Sequence, residues 1–308
     1  MTGETSTTES RSPRGDLYSM LFAGAPSTTE VVSAGRLTRV GARPPLGVYL
    51  GQLWNRRHFL WAEARAKVTS GTRENLLGSV WLVLKPVLDG LTYFLIFGLL
   101  LQSSRGIDNF LGFLIVGVFL FSFTTRGVTG GANSVRGGRN LIRAFAFPRA
   151  ALPISVILRG MLDMIPVLAA MVVILAVLPP AEVFTWRVVL VPAVLALQVL
   201  FTTGMALFLA RCVAVVPDLN QLISFAMRLW LYGSGVFFSY DQFIDHPTAL
   251  ALMEANPMFM VLNMVRDCLL YGVTPALSSW LGLSAWAVGT LLVGFLFFYH
   301  GEESYGRA

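Results

Sequence analysis

The stretch Ile154–Leu178, ISVILRGMLDMIPVLAAMVVILAVL, decides how the rest of the chain is read. Its only charges are Arg159 and Asp163, one helical turn apart. A helix rises about 1.5 Å per residue, so about 20 such residues cross the hydrocarbon layer of a bilayer. Comparable apolar runs lie on both sides of it, at Leu77–Leu101, Phe110–Thr129, Val188–Leu209, Leu222–Tyr240 and Leu281–Tyr299. A shorter stretch, Met258–Tyr271, carries Arg266 and Asp267 and reads as a re-entrant or interfacial helix rather than a seventh span. The expected fold class is therefore an all-α polytopic membrane protein with six transmembrane helices.

Composition agrees. Of 308 residues, 55% are hydrophobic and 13% charged, with a mean hydropathy of +0.66. A soluble domain carries about 25% charged residues, so most of this chain is not a water-facing surface. The net charge of +6 would suit nucleic acid, but it sits in the N-terminal tail and between apolar runs, so no nucleic-acid partner is expected. Two cysteines and three histidines are too few and too scattered for a disulfide framework or a zinc site.

Three regions follow from the pattern. Residues 1–45 are polar and begin MTGETSTTES, which lacks the apolar run of a signal peptide; a disordered cytoplasmic tail is expected. Residues 46–70 place Leu46, Tyr49, Leu50, Leu53, Trp54, Leu60, Trp61 and Ala64 at helical spacing, with Arg56, Arg57, Arg65 and Lys67 mainly on the other side. An apolar stripe with tryptophans against a basic face predicts an amphipathic helix lying on membrane lipid headgroups. Residues 71–308 are expected to form the six-span transmembrane domain.

The segment between the second and third spans carries Arg136, Arg139, Arg143 and Arg149 and no acidic residue, whereas the stretch after the fifth holds Asp241, Asp245, Glu254 and Asp267 against Arg266. The positive-inside rule then places both termini and the arginine-rich segment on the cytoplasmic side of the membrane.

Covalent chemistry is not expected. No phosphate-binding G-x-x-x-x-G-K-[ST] loop occurs, and no nucleophile–base–acid set is visible, so no catalytic residue, metal site or cofactor is assigned to this chain. Any active transport would draw on a partner or on an ion gradient. Charges inside a membrane are costly and therefore informative. Lys85 with Asp89, and Arg159 with Asp163, each have i,i+4 spacing and can neutralise themselves on one helix face, as gate or structural elements. A proton relay through these carboxylates is the alternative.

Over residues 47–308 several short stretches become recognisable as a set. Leu77-Gly78-Ser79-Val80-Trp81 with Lys85-Pro86, then Asn140-Leu141-Ile142-Arg143, Phe147-Pro148-Arg149 and Leu152-Pro153, then Val216-Pro217-Asp218, and finally Asn256-Pro257 with Arg266-Asp267, follow one another in order. Together they resemble the transmembrane subunit of ABC-type exporters of lipid-linked polysaccharides, the family that exports O-antigen, teichoic acid and cell-wall galactan. Two departures stand out. Trp61–Lys67 is a looser version of the family's basic stretch before the first span, and Pro217 stands where an arginine is usual.

The resemblance implies a homodimer of this chain with two copies of an ATP-binding ABC subunit, which would hold the ATP and Mg. It implies that Asn140, Leu141, Ile142, Arg143, Phe145, Phe147 and Arg149 form a coupling segment seated in the ATPase. Four large apolar residues there (Leu141, Ile142, Phe145 and Phe147) are more than a solvated loop would keep. Arg211–Asn220 is a second expected contact. For a glycan cargo, aromatic faces stack on sugar rings and polar edges meet hydroxyls. Trp81, Trp230, Tyr232 and Tyr240 are the residues expected along such a path. Gly233-Ser234-Gly235 would kink the fifth span or let helices pack closely. Arginine outnumbers lysine 21 to 2, which fits a GC-rich bacterium and a galactan cargo. Export of drugs or small amphiphiles on the same architecture, and ion-coupled secondary transport, are the other two readings.

Overall fold

The computed structural model describes residues 44–73, 80–100, 107, 109–144, 147–177, 185–239, 247–303 and 305. The expectations for the tail through residue 43, for Phe145 and for Tyr240 fall outside them. Secondary structure among the described residues is helical throughout. Five segments among them are long and apolar enough to cross a membrane: Val83–Leu100, Phe110–Gly137, Ala151–Val177, Trp186–Val215 and Leu277–His300.

The N-terminal region differs from the single helix expected. It forms α1 (Leu46–Asn55) and α2 (Arg57–Arg73), broken at Arg56. Tyr49, Leu60 and Ala64 are buried, while Trp54, Phe59 and Trp61 remain exposed beside Arg56, Arg57, Arg65 and Lys67. The stripe therefore divides: one part packs on the protein, and the tryptophan-bearing part stays exposed.

Helix α3 (Val80–Tyr93) contains Pro86 and continues as π-helical turns over Phe94–Leu100. It lies at the edge of the bundle. The hub is α4 (Phe110–Gly137), about 42 Å long at the usual rise. Only 11% of the apolar stretch of the first crossing segment is buried, against 78% for α4, so α4 is the element around which the others are arranged. Asn109 caps α4, its side-chain oxygen accepting from the Gly112 amide at 2.8 Å. Beyond α4 come the short α5 (Arg139–Ala144) and the long α6 (Ala151–Val177). A 3-10 turn (Trp186–Leu190) then leads into α7 (Val191–Val215).

Among lipid tails, one apolar helix gains little by leaving hydrocarbon for another, so close backbone approach and interhelical hydrogen bonds hold such bundles together. Both are present. A Cβ on Gly131 of α4 would stand 2.5 Å from that of Ala206 on α7, and one on Gly127 would stand 2.7 Å from the Thr202 methyl. Gly204 of α7 meets the backbone of Thr290 and Leu291 on the last helix (Leu277–His300), and Gly294 meets the Gly204 carbonyl, with no room for a side chain at either. Gln198, fully buried, donates to the Leu120 carbonyl and to Thr124 Oγ1, both at 2.9 Å. Thr124 also reaches the Met258 sulfur at 3.2 Å, joining a third element. A lone amide in the run Val188–Leu209 is the one sequence signal for this cluster.

The expected fifth span, Leu222–Tyr240, is a helix only in part. Helix α8 (Leu219–Tyr232) has 14 residues, about 21 Å, too short to cross alone. The chain then turns through Gly233–Phe238, with Gly235 at φ +64°, a conformation that favours glycine. After α9 (Pro247–Glu254), helix α10 (Pro257–Arg266) and π turns over Asp267–Tyr271 occupy the expected re-entrant stretch, and α11 (Leu277–His300) closes the bundle. Far from lying on a surface, α10 buries Met258, Val261, Leu262, Met264, Val265 and Arg266 among α4, α7 and α11.

Candidate functional site

The two ends of α4 carry different polar machinery. At the end where α4 begins, Arg266 is 1% exposed. Its guanidinium donates to the carbonyls of Phe113 (3.0 Å), Gly235 (2.9 Å) and Val236 (3.3 Å), and it lies over the Phe113 ring. A buried cation is tolerable only when its donors are satisfied, and the planar fork of arginine suits several carbonyls at once. Asn256 works on the same turn. Its amide donates to the Gly233 carbonyl and Ser234 Oγ, both at 3.1 Å, while its oxygen accepts from Trp230 Nε1 and the Met258 amide, both at 3.0 Å. The Asn256-Pro257 and Arg266-Asp267 pairs thus grip the glycine turn from two sides.

This geometry sorts the expected path residues. Trp230, one of the expected path residues, is half-buried between Phe121 and Phe201, and its polar edge donates to Asn256. Tyr232 is exposed beside Phe237, and Trp81 is exposed on α3. Of the paired charges, Arg159 and Asp163 meet at 3.7 Å as expected. Lys85 and Asp89 are both exposed on α3, and the ion pairs among the described residues do not include one between them.

The opposite end holds the expected coupling segment. Asn140 and Arg143 on α5 are exposed, but Ile142 is buried and Leu141 and Phe147 are half-buried, so the apolar residues are not free in solvent as the sequence suggests. They join a second core with Tyr49, Val135, Leu152, Leu207, Phe298, Tyr299 and Tyr305. A cavity of about 350 Å³ opens beside them, walled by Phe59, Leu60, Leu141, Phe147 and Leu152, with Arg56 and Glu63 as its charged members. In the second expected contact region, Val216, Pro217 and Asp218 are exposed between α7 and α8. Arg211 is turned instead toward α11, donating to the Phe297 carbonyl and lying over its ring.

Around Arg149 the sequence offers no forewarning. The Arg149 amide donates to Glu302 Oε1 at 2.9 Å, the Tyr49 hydroxyl donates to Glu302 Oε2 at 2.9 Å, and the Ala150 amide donates to the Tyr49 hydroxyl at 3.0 Å. Burial raises the Glu302 carboxyl above its ordinary value; the Arg149 amide, the Tyr49 hydroxyl and the Arg149 charge pull it partly back. Burial also raises the Tyr49 phenol, with the Glu302 charge adding to the shift. Partners separated by 253 and 153 positions leave no local pattern to find.

With five segments among the described residues long and apolar enough to cross a membrane, the bundle is that of a multi-pass membrane protein. The chain belongs to the ABC-2 type transporter family, whose sequence model matches residues 60–270. It is 27% identical over 212 residues to the O-antigen export system permease protein RfbA of Myxococcus xanthus, covering 69% of this chain and 80% of that one. A permease of the same name from Klebsiella pneumoniae is 25% identical over 202 residues, covering 65% of this chain and 75% of that one.

Proposed function

We propose that this chain is the permease subunit of an ATP-driven exporter of lipid-linked polysaccharide, working as two copies with two copies of a separate ATP-binding subunit. ATP and Mg sit on that partner, which supplies the hydrolysis. Both termini and α5 face the cytoplasm of a bacterial plasma membrane, and α1 and α2 lie along its lipid. The sixth crossing is a composite, made of α8 and the turn gripped by Asn256 and Arg266.

The observation that carries the reading is α5 itself. A six-residue helix with Asn140 and Arg143 exposed, anchored by buried Ile142 beside an apolar cavity, is built to be pushed by another protein. The relatives named for O-antigen export support a polysaccharide cargo. Exposed Lys85 and Asp89, on the least buried crossing segment, support a second copy: a two-fold axis would set Lys85 of one copy near Asp89 of the other. Tyr232 and Trp81 are then the aromatic groups left open to a sliding glycan, and the closed Arg159–Asp163 pair is structural.

The test is Asn140→Lys with Arg143→Glu, both exposed on α5. The double variant should insert normally but lose the ATP-binding subunit on co-purification, because a mismatched charge seated in a partner's cleft costs several kcal/mol, on the order of 3. Normal capture and normal export would refute the coupling role of this segment.

A further inference from the structure

Helix α6 begins immediately after the coupling segment, and its first-turn amides are met locally, Ala151 by the Pro148 carbonyl at 3.0 Å and Leu152 by the Arg149 carbonyl at 3.1 Å. The two amides just ahead of the helix, Arg149 and Ala150, are met from far along the chain, by Glu302 just beyond α11 and by Tyr49 in α1. The turn that supplies the start of α6 is thus itself held by two distant elements.

We propose that Glu302 is a positioning residue for energy coupling: with the Tyr49 hydroxyl, its carboxylate fixes the exit of the coupling segment at Arg149–Ala150, so that a push on α5 moves α6 instead of being absorbed between them. The inference rests on the coupling reading of α5. The link between α5 and α6 is short, and a thrust passes through it only if its far end is fixed. Two charge-assisted hydrogen bonds to one buried carboxylate, completed by a third through the phenol, supply that fixture. The termini have separate anchors. Tyr299 donates to the Pro44 carbonyl at 2.7 Å, Tyr305 to the Phe298 carbonyl at 3.0 Å, and the Tyr49 ring packs edge-on against Tyr299 at 5.2 Å. Removing the Tyr49 hydroxyl therefore takes the acceptor from the Ala150 amide and one donor from Glu302, while leaving the Arg149–Glu302 bond and the docked ends.

The experiment uses the permease assembled with its ATP-binding subunit, measuring membrane abundance, ATP turnover and glycan exported per ATP hydrolysed. For Glu302→Ala we expect normal abundance and turnover with export per ATP down roughly tenfold, and for Tyr49→Phe a fall of roughly threefold. The double variant should fall below Glu302→Ala alone, since the hydroxyl also accepts directly from the Ala150 amide. Unchanged export per ATP in both single variants overturns the proposal. So does a proportional fall of ATP turnover and export, which marks a purely structural role. If Glu302→Ala fails to reach the membrane, Tyr49→Phe decides by the same two criteria. Retained capture of the ATP-binding subunit by Asn140→Lys with Arg143→Glu refutes the coupling reading itself; lost capture there, with normal export per ATP in the Glu302 and Tyr49 variants, refutes the anchor alone.

Discussion

Two buried charges sit toward opposite ends of α4, and they are held in opposite ways. Arg266 is satisfied by three carbonyls and a ring, is permanently charged at any ordinary pH, and binds a turn of its own sequence neighbourhood to α4. Glu302 is satisfied by a phenol and an amide from distant elements and can take up a proton. The first arrangement is a permanent clamp. The second can be released by displacing any one of three separate segments, which suits the end where the proposed ATP-binding partner would push. A rigid frame at one end and a conditional joint at the other are what a machine driven from one side needs.

The largest effect should come from breaking the clamp. Arg266→Met leaves the Phe113, Gly235 and Val236 carbonyls without their buried donor, costing about 3–5 kcal/mol. Little folded protein should remain in the membrane, and Arg266→Lys should not restore it, because an ammonium cannot fork across these carbonyls. Abundance and thermal unfolding in detergent would show this; near-normal stability of either variant would mean the turn is held by Asn256 alone. Next comes Asn256→Ala, which removes four hydrogen bonds around the same turn and should cost about 2–3 kcal/mol. Its fingerprint is a change in Trp230 fluorescence, as the indole loses its acceptor.

At the other end the effect is smaller and depends on pH. Because burial raises the Glu302 carboxyl above its ordinary 4.5, the folded chain takes up a proton at a pH where the unfolded chain does not. The contribution of this group is full below its unfolded value and is lost as pH rises through the folded value. Melting temperatures of wild type and Glu302→Gln, compared from about pH 7 to about pH 5, should shift in favour of wild type as pH falls. A flat difference would place Glu302 in contact with water. The smallest expected effect concerns α3. Lys85→Met alone and Asp89→Leu alone should each weaken export more than the two together, by roughly 1 kcal/mol of coupling, if the charges meet across the two copies. Additive losses would remove the support for that contact.

Much of this is legible along the chain. The run at Ile154–Leu178 and its neighbours announces crossing helices, since apolar length alone decides whether a segment can replace water with lipid. The basic face of residues 46–70 and the polar Asn140 and Arg143 are equally plain, as is the difficulty of Met258–Tyr271, too short and too charged to be an ordinary span. Legibility fails wherever a polar edge has two possible fates. The indole N–H of Trp230 could face a glycan hydroxyl as well as a protein oxygen; in three dimensions Asn256 takes it. Leu141, Ile142 and Phe147 look exposed because no soluble core adjoins them in sequence, and the core they join is assembled from both termini.

Residue order alone is enough to show that this chain lives in a membrane, which segments are apolar enough to cross, and which short basic stretch lies between them; each follows from the solvation of a local run. It takes the folded bundle to show that the helix of the expected fifth span stops at Tyr232, that Lys85 and Asp89 both stay exposed, and that Glu302 holds the Arg149 amide from 153 positions away. Those outcomes depend on which polar group finds which partner. Hydrogen bonds reach about 3 Å in space and take no account of distance along the chain.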